Sequence, residues 1–150
     1  MRGYDKLLVP IGFSEPTKEI VGSALRVLAG GGTLILLRVG EWLPTVTEST
    51  FGVYAHRKAI EKFRKLARAK LQDLAGQTLT RDRPDAKFEL MIAEGQPAWA
   101  IRRALAEVQS DLVGMGTHGR ARLDHLLIGS VAERVVRKAP CSVMLVRYEP

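Results

Sequence analysis

Five short, nearly unbroken apolar runs recur along this chain, and most are separated by segments of helical period. They cover residues 6–11, 33–39 and 87–93, the run Leu112, Val113, Met115 that ends at Gly116, and residues 142–147 (S-V-M-L-V-R). A strand that is apolar on both sides must be covered on both faces. Strands alternating with helices therefore predict a parallel sheet with helices packed above and below it. The expected fold class is α/β, a single doubly wound, Rossmann-like domain over 1–150 with five parallel strands. In such sheets ligands bind beyond the carboxyl ends of the strands, where the strand order reverses. The unusual loops of this chain begin at Gly12 and Gly116, after the first and fourth runs.

The second of those loops carries the densest signal, D-L-V-G-M-G-T-H-G-R-A-R-L-D-H-L-L-I-G-S-V. Gly116 is followed after two residues by Gly119, and nine residues further on come Gly129 and Ser130. The pattern predicts a strand, a glycine turn, an excursion and a return to a helix N-terminus. Glycine permits left-handed backbone and close approach of a ligand. A helix start offers unpaired N–H donors and partial positive charge, which suit phosphate. The spacing is neither GxxxxGK[ST] nor GxGxxG.

In the first loop, Ser14 is a helix-cap candidate and Pro16 suits a first turn. Ile20, Val21, Ala24, Leu25 and Leu28 then keep helical spacing, and Gly30, Gly31 and Gly32 are expected to stop that helix. Residues 40–54 read as a long polar loop containing Trp42. A helix is expected over 55–79, with Ile60, Phe63, Leu66, Ala67, Leu71 and Leu74 on its buried face. Its other face is basic, carrying Arg57, Lys58, Lys62, Arg64, Lys65, Arg68 and Lys70 against Glu61. Trp99, near the start of the next helix, reads as packed.

The chain carries a formal charge of +7, which invites anionic partners. No apolar run reaches the roughly 20 residues that span a bilayer, and no signal peptide is legible. Its single cysteine, Cys141, excludes an intramolecular disulfide. A cytoplasmic location with no membrane partner is the expectation.

The fragments K-L-L-V-P-I-G-F-S-E-P, E-G-Q-P-A-W-A-I, D-L-V-G-M-G-T-H-G-R and G-S-V-A-E-R-V-V-R-K-A-P-C-S-V-M-L-V-R together resemble the universal stress protein family along nearly the whole chain. The resemblance implies an adenine nucleotide alpha hydrolase-like sheet of order 3-2-1-4-5. It implies a homodimer paired through the last strand, from Ser142 to Arg147. It also implies the subgroup that binds ATP with Mg2+ or Mn2+ held through the phosphates. By position, Gly116, Gly119, Gly129, Ser130 and Val131 match the phosphate and ribose contacts, and Pro10 and Val39 match the nucleoside end. Met115, His118 and Arg120 border the same loop, and Arg120 is a basic group that could face phosphate. The family's usual aspartate after the first strand is Gly12 here, which puts nucleoside affinity in question.

No spacing forms a catalytic triad or metal cluster, so at most slow ATP hydrolysis is expected. His118, Asp124 and His125 lie in the excursion without a partner pattern. The leading expectation is a nucleotide-dependent stress-response module. The alternatives are an interaction protein that uses the basic helix, and a weak ATPase. Without interleaved aromatic residues or a recognition-helix motif, nucleic acid is disfavoured as a partner of that helix. A charged face of this kind is expected to be solvated.

Overall fold

The computed structural model describes residues 3–12, 17–41, 50–117 and 128–147. Five strands, β1 (Tyr4–Pro10), β2 (Leu28–Gly40), β3 (Lys87–Glu94), β4 (Leu112–Gly116) and β5 (Ser142–Val146), form one sheet of order 3-2-1-4-5. Every neighbouring pair is parallel. The helices between them are α1 (Thr17–Val27), α2 (Thr50–Asp82), α3 (Pro97–Val108) and α4 (Ser130–Lys138).

The apolar runs divide by strand alternation into two cores. Leu7, Val9, Leu34 and Leu36 join Ile20, Val21, Ala24 and Leu25 of α1 and Leu71 of α2 on one face. Leu8, Ile35, Leu37, Val113 and Met115 join Ala98, Ile101, Ala104 and Leu105 of α3 with Ala132 and Val135 of α4 on the other. Leu7, Leu8, Val9 and the run from Leu34 to Leu37 are almost wholly excluded from solvent, as strands covered on both sides require. Gly114 leaves room for the side chains of its two flanking strands: a Cβ there would meet Met144 Cε at 3.1 Å and Val9 Cγ2 at 3.5 Å.

The amino ends of the strands are tied together by polar groups. Asp111 Oδ2 accepts from the Asp5 and Lys6 N–H groups at 3.1 and 2.8 Å, and Lys6 Nζ donates to the Val108 carbonyl at 3.0 Å. A second tie joins α1, β2 and the turn before β3. The Arg83 guanidinium donates to the carbonyls of Leu25, Leu28 and Ala29 and pairs with Asp85 through two 2.9 Å bonds. Asp85 also accepts from the Gly31 N–H at 3.2 Å.

The main differences from the sequence reading lie in α1, β2 and α2. Helix α1 stops at Val27, and Gly30, Gly31 and Gly32 lie inside β2 rather than ending the helix. There they make an irregularity: Tyr4 pairs with Leu28, but Lys6 pairs with Thr33. Gly31 sits at φ 71°, and a Cβ on Gly32 would press to 2.8 Å from the Leu28 side chain, so the triplet serves a strand bulge. Helix α2 begins five residues before the expected 55 and ends three after 79. Leu66, assigned to its buried face, is 54% exposed, because it lies about 100° around the axis from Ala67 and off the stripe of Ile60, Phe63, Ala67 and Leu71. The Ser14 cap, Pro16 and Trp42 lie outside the described residues.

Candidate functional site

The strand order reverses between β1 and β4, so the crossover helices α1 and α4 leave the carboxyl ends of those strands on opposite faces of the sheet, the place where such folds bind ligands. Pro10 closes β1, half-buried and paired with Leu37. Gly12 follows it, exposed. Val39 lies two residues beyond Leu37 on β2 and packs against the core on the α3 and α4 side. Met115, 6% exposed, belongs to that core, and Gly116 ends β4. The register pairs Leu7 with Leu112 and Leu8 with Val113, which carries Pro10 and Met115 to the same level of the sheet.

The excursion closes at its neck. The Gly129 N–H donates to the Thr117 carbonyl at 2.6 Å, which holds the start of α4 against the end of β4. Thr117 N–H in turn donates to the Val146 carbonyl at 3.2 Å. Gly129 is the N-cap of α4 and supplies no side-chain bond to the first turn. Ser130, exposed, opens the helix, and Val131 packs against the α3 and α4 core. The acid in that first turn, Glu133, is paired with Arg137 at 2.9 Å. Gly129 has φ −58° and ψ 152°, a conformation open to any residue. A left-handed backbone is therefore not what this glycine supplies, and its missing Cβ is what remains. His118, Gly119 and Arg120 lie outside the described residues, as do Asp124 and His125.

Three features of this edge escaped the sequence reading. Arg38 Nη1 donates to the Ile11 carbonyl at 3.1 Å and so steadies the backbone that leads into Gly12. A lone cation interrupting an apolar strand was its only sequence signal. Arg64 of α2 is bonded to Glu94 at the end of β3 at 2.7 Å. Trp99, read as packed, is 49% exposed, with Arg103 lying 5.2 Å from its ring centroid. Gly95, at φ 124°, makes the turn there, and the Gln96 side chain caps α3 through the Trp99 N–H at 2.8 Å.

A doubly wound sheet with a glycine neck at its order reversal defines the general class of the molecule. The narrower assignment comes from comparison: the universal stress protein family model matches residues 3–147, and the chain belongs to that family. It is 30% identical to a universal stress protein of Methanothermobacter thermautotrophicus over 96% of both chains. It is also 30% identical to one of Methanocaldococcus jannaschii over 96% of this chain and 95% of that one. Among solved structures, UspA from Lactobacillus plantarum superposes with a TM-score of 0.78 at 20% identity, covering 98% of this chain and all of that one. A universal stress protein in complex with cAMP superposes with a TM-score of 0.64 at 21% identity, covering 98% and 99% of the two chains.

Proposed function

We infer that this chain binds ATP, with a divalent cation held through the phosphates, at the carboxyl ends of β1 and β4, and acts as a nucleotide-dependent regulatory module in the stress response. The observation that carries the reading is the bond from Gly129 to Thr117, which presents an α4 N-terminus without a side-chain cap beside the end of β4. The first N–H groups of a helix have no partner within it and favour an anion. The pairing of Glu133 with Arg137 offsets the acid in the first turn of α4. In this reading Gly116, Gly119, Gly129, Ser130 and Val131 hold phosphate and ribose, with His118 and Arg120 beside them. Pro10, Gly12, Val39 and Met115 border the nucleoside. A fold relative in complex with cAMP supports an adenine nucleotide as the class of ligand. Calorimetric titration with ATP and Mg2+ tests the reading.

Gly12 offers the nucleoside only its backbone, where a carboxylate would accept a hydrogen bond. Such a bond contributes about 0.5–1.5 kcal/mol net, close to a factor of about ten in affinity. Gly12→Asp is therefore expected to tighten ATP binding about tenfold and to sharpen discrimination against GTP. Unchanged or weaker binding by the folded variant would make Gly12 a backbone requirement instead.

The same reading includes a homodimer. Among the described residues strand β5 pairs only with β4, so its other edge is open there. Its residues Val143, Met144, Leu145 and Val146 are apolar and half-buried. An exposed apolar edge tends to pair with another chain, and two-fold antiparallel pairing satisfies both copies. Sedimentation equilibrium at micromolar concentration is expected to give twice the 16.5 kDa chain mass. A single 16.5 kDa species would rule the dimer out.

A further inference from the structure

Helix α2 is longer than the strand it covers. It runs antiparallel to β3, since it ends at Asp82 and β3 starts at Lys87. The Arg64–Glu94 bond then fixes its register, because Glu94 is the last residue of β3. The residues of α2 ahead of Arg64 extend past the carboxyl edge of the sheet, by about 20 Å at 1.5 Å per residue. Burial follows that geometry. No described side chain of α2 before Ala67 is buried, whereas Ala67 and Leu71 are 4% and 0% exposed.

The projecting turns, together with the first turn that lies over the sheet, concentrate the charge of the molecule, although Arg64 within them is paired with Glu94. Residues 53–68 carry six cations and one acid, a net +5 of the chain's +7. They also carry three of the large exposed apolar side chains, Val53 at 55%, Tyr54 at 59% and Leu66 at 54%. At about 100° per residue these three point in well-separated directions around the helix axis. We propose that the exposed basic stretch of α2, residues 53–68, is a docking helix for an acidic protein that wraps it in an apolar groove rimmed with carboxylates.

The alternatives fit less well. A second copy of this chain would bring two helices of net +5 together. A bilayer is planar and cannot reach apolar side chains spread around a rod. A phosphodiester chain would meet the cations and leave Val53 and Leu66 without a partner, and Glu61 lies among those cations, 3.8 Å from Lys58. Helix-in-groove recognition uses both components at once, charge for steering and apolar anchors for residence.

The test uses the full chain and calcium-loaded calmodulin, an acidic protein with adaptable apolar grooves, as the probe. Binding is expected with a dissociation constant of about 10 μM or tighter. Two variants are compared: Lys58→Glu, Lys62→Glu and Lys65→Glu combined, and Val53→Ser with Leu66→Ser. Each is expected to weaken binding about tenfold or more, with the melting temperature and ATP titration unchanged. Four results would overturn the proposal. They are no binding of calmodulin, loss in the charge variant alone, tighter binding to a single-stranded oligonucleotide, and tighter binding to phosphatidylserine vesicles. Because ATP binding is measured separately, failure here leaves the nucleotide reading standing.

Discussion

Gly129→Val is expected to abolish ATP binding while leaving the fold intact. The residue caps α4 and is bonded through its N–H to Thr117, so its Cα position is held at the neck of the excursion. Valine can adopt φ −58° and ψ 152° without backbone strain. It is a poor N-cap, and the cost of that is about 1 kcal/mol. Binding should suffer far more. In the proposed site the β-branched side chain fills the space in front of the first α4 N–H groups, where phosphate would lie. The loss should exceed about a hundredfold, or about 2.7 kcal/mol. Circular dichroism and calorimetry on the same preparation separate the two effects. A variant that is folded and binds ATP normally would remove the α4 N-terminus from the site.

Arg83→Met is expected to be the most damaging surface-proximal substitution for stability. The Arg83 side chain is 22% exposed and donates to Leu25, Leu28 and Ala29, carbonyls at the end of α1 and the irregular start of β2. Methionine preserves the apolar stem and deletes every donor. Hydrogen bonds from a charged group contribute about 1.5–3 kcal/mol each, and water recovers part of that at a partly open site. A net loss of about 2–4 kcal/mol follows, or a fall in Tm of about 5–12 °C for a chain of this length. The partner acid gives the effect a pH signature. The hydrogen bond from Arg83, followed by that from the Gly31 N–H, holds the Asp85 carboxyl well below the usual carboxylate range. A depressed carboxylate contributes stability that is present above its unfolded pKa of about 3.9 and is lost as pH falls toward the folded value. The wild-type chain should therefore lose stability more steeply below about pH 4 than Arg83→Met does. Equal acid slopes would mean that the pair is not coupled to folding.

The elements legible from sequence were those fixed by burial on two faces. Leu7 to Val9 and Leu34 to Leu37 read as strands covered on both faces, and they are buried in the middle of the sheet. The strand order came from the family resemblance, not from any periodicity, and the sheet has that order. What escaped depends on distant partners. Gly30, Gly31 and Gly32 look like a helix stop until Arg83 and Asp85, more than fifty residues away, are seen holding the bulge. Leu66 is apolar but lies about 100° around the helix from Ala67, off the stripe of Ile60, Phe63, Ala67 and Leu71, so hydrophobicity alone misplaced it. Trp99 reads as core by hydrophobicity, yet a turn at Gly95 leaves half of it in solvent beside Arg103. In the proposed site, the spacing of Gly116, Gly129 and Ser130 located the strand-to-helix return. It did not reveal that Gly129 is bonded to Thr117, or that Arg38 holds the Ile11 carbonyl next to Gly12.

The central claim is nucleotide binding at that return, and calorimetry on the wild-type chain tests it most directly. The protein is first unfolded, dialysed and refolded to strip any retained nucleotide, and then titrated with ATP in Mg2+. The predicted result is saturable binding of one ATP per chain, lost in Gly129→Val. No heat with ATP, together with no adenine nucleotide in the mass spectrum of small molecules released on unfolding, would contradict it.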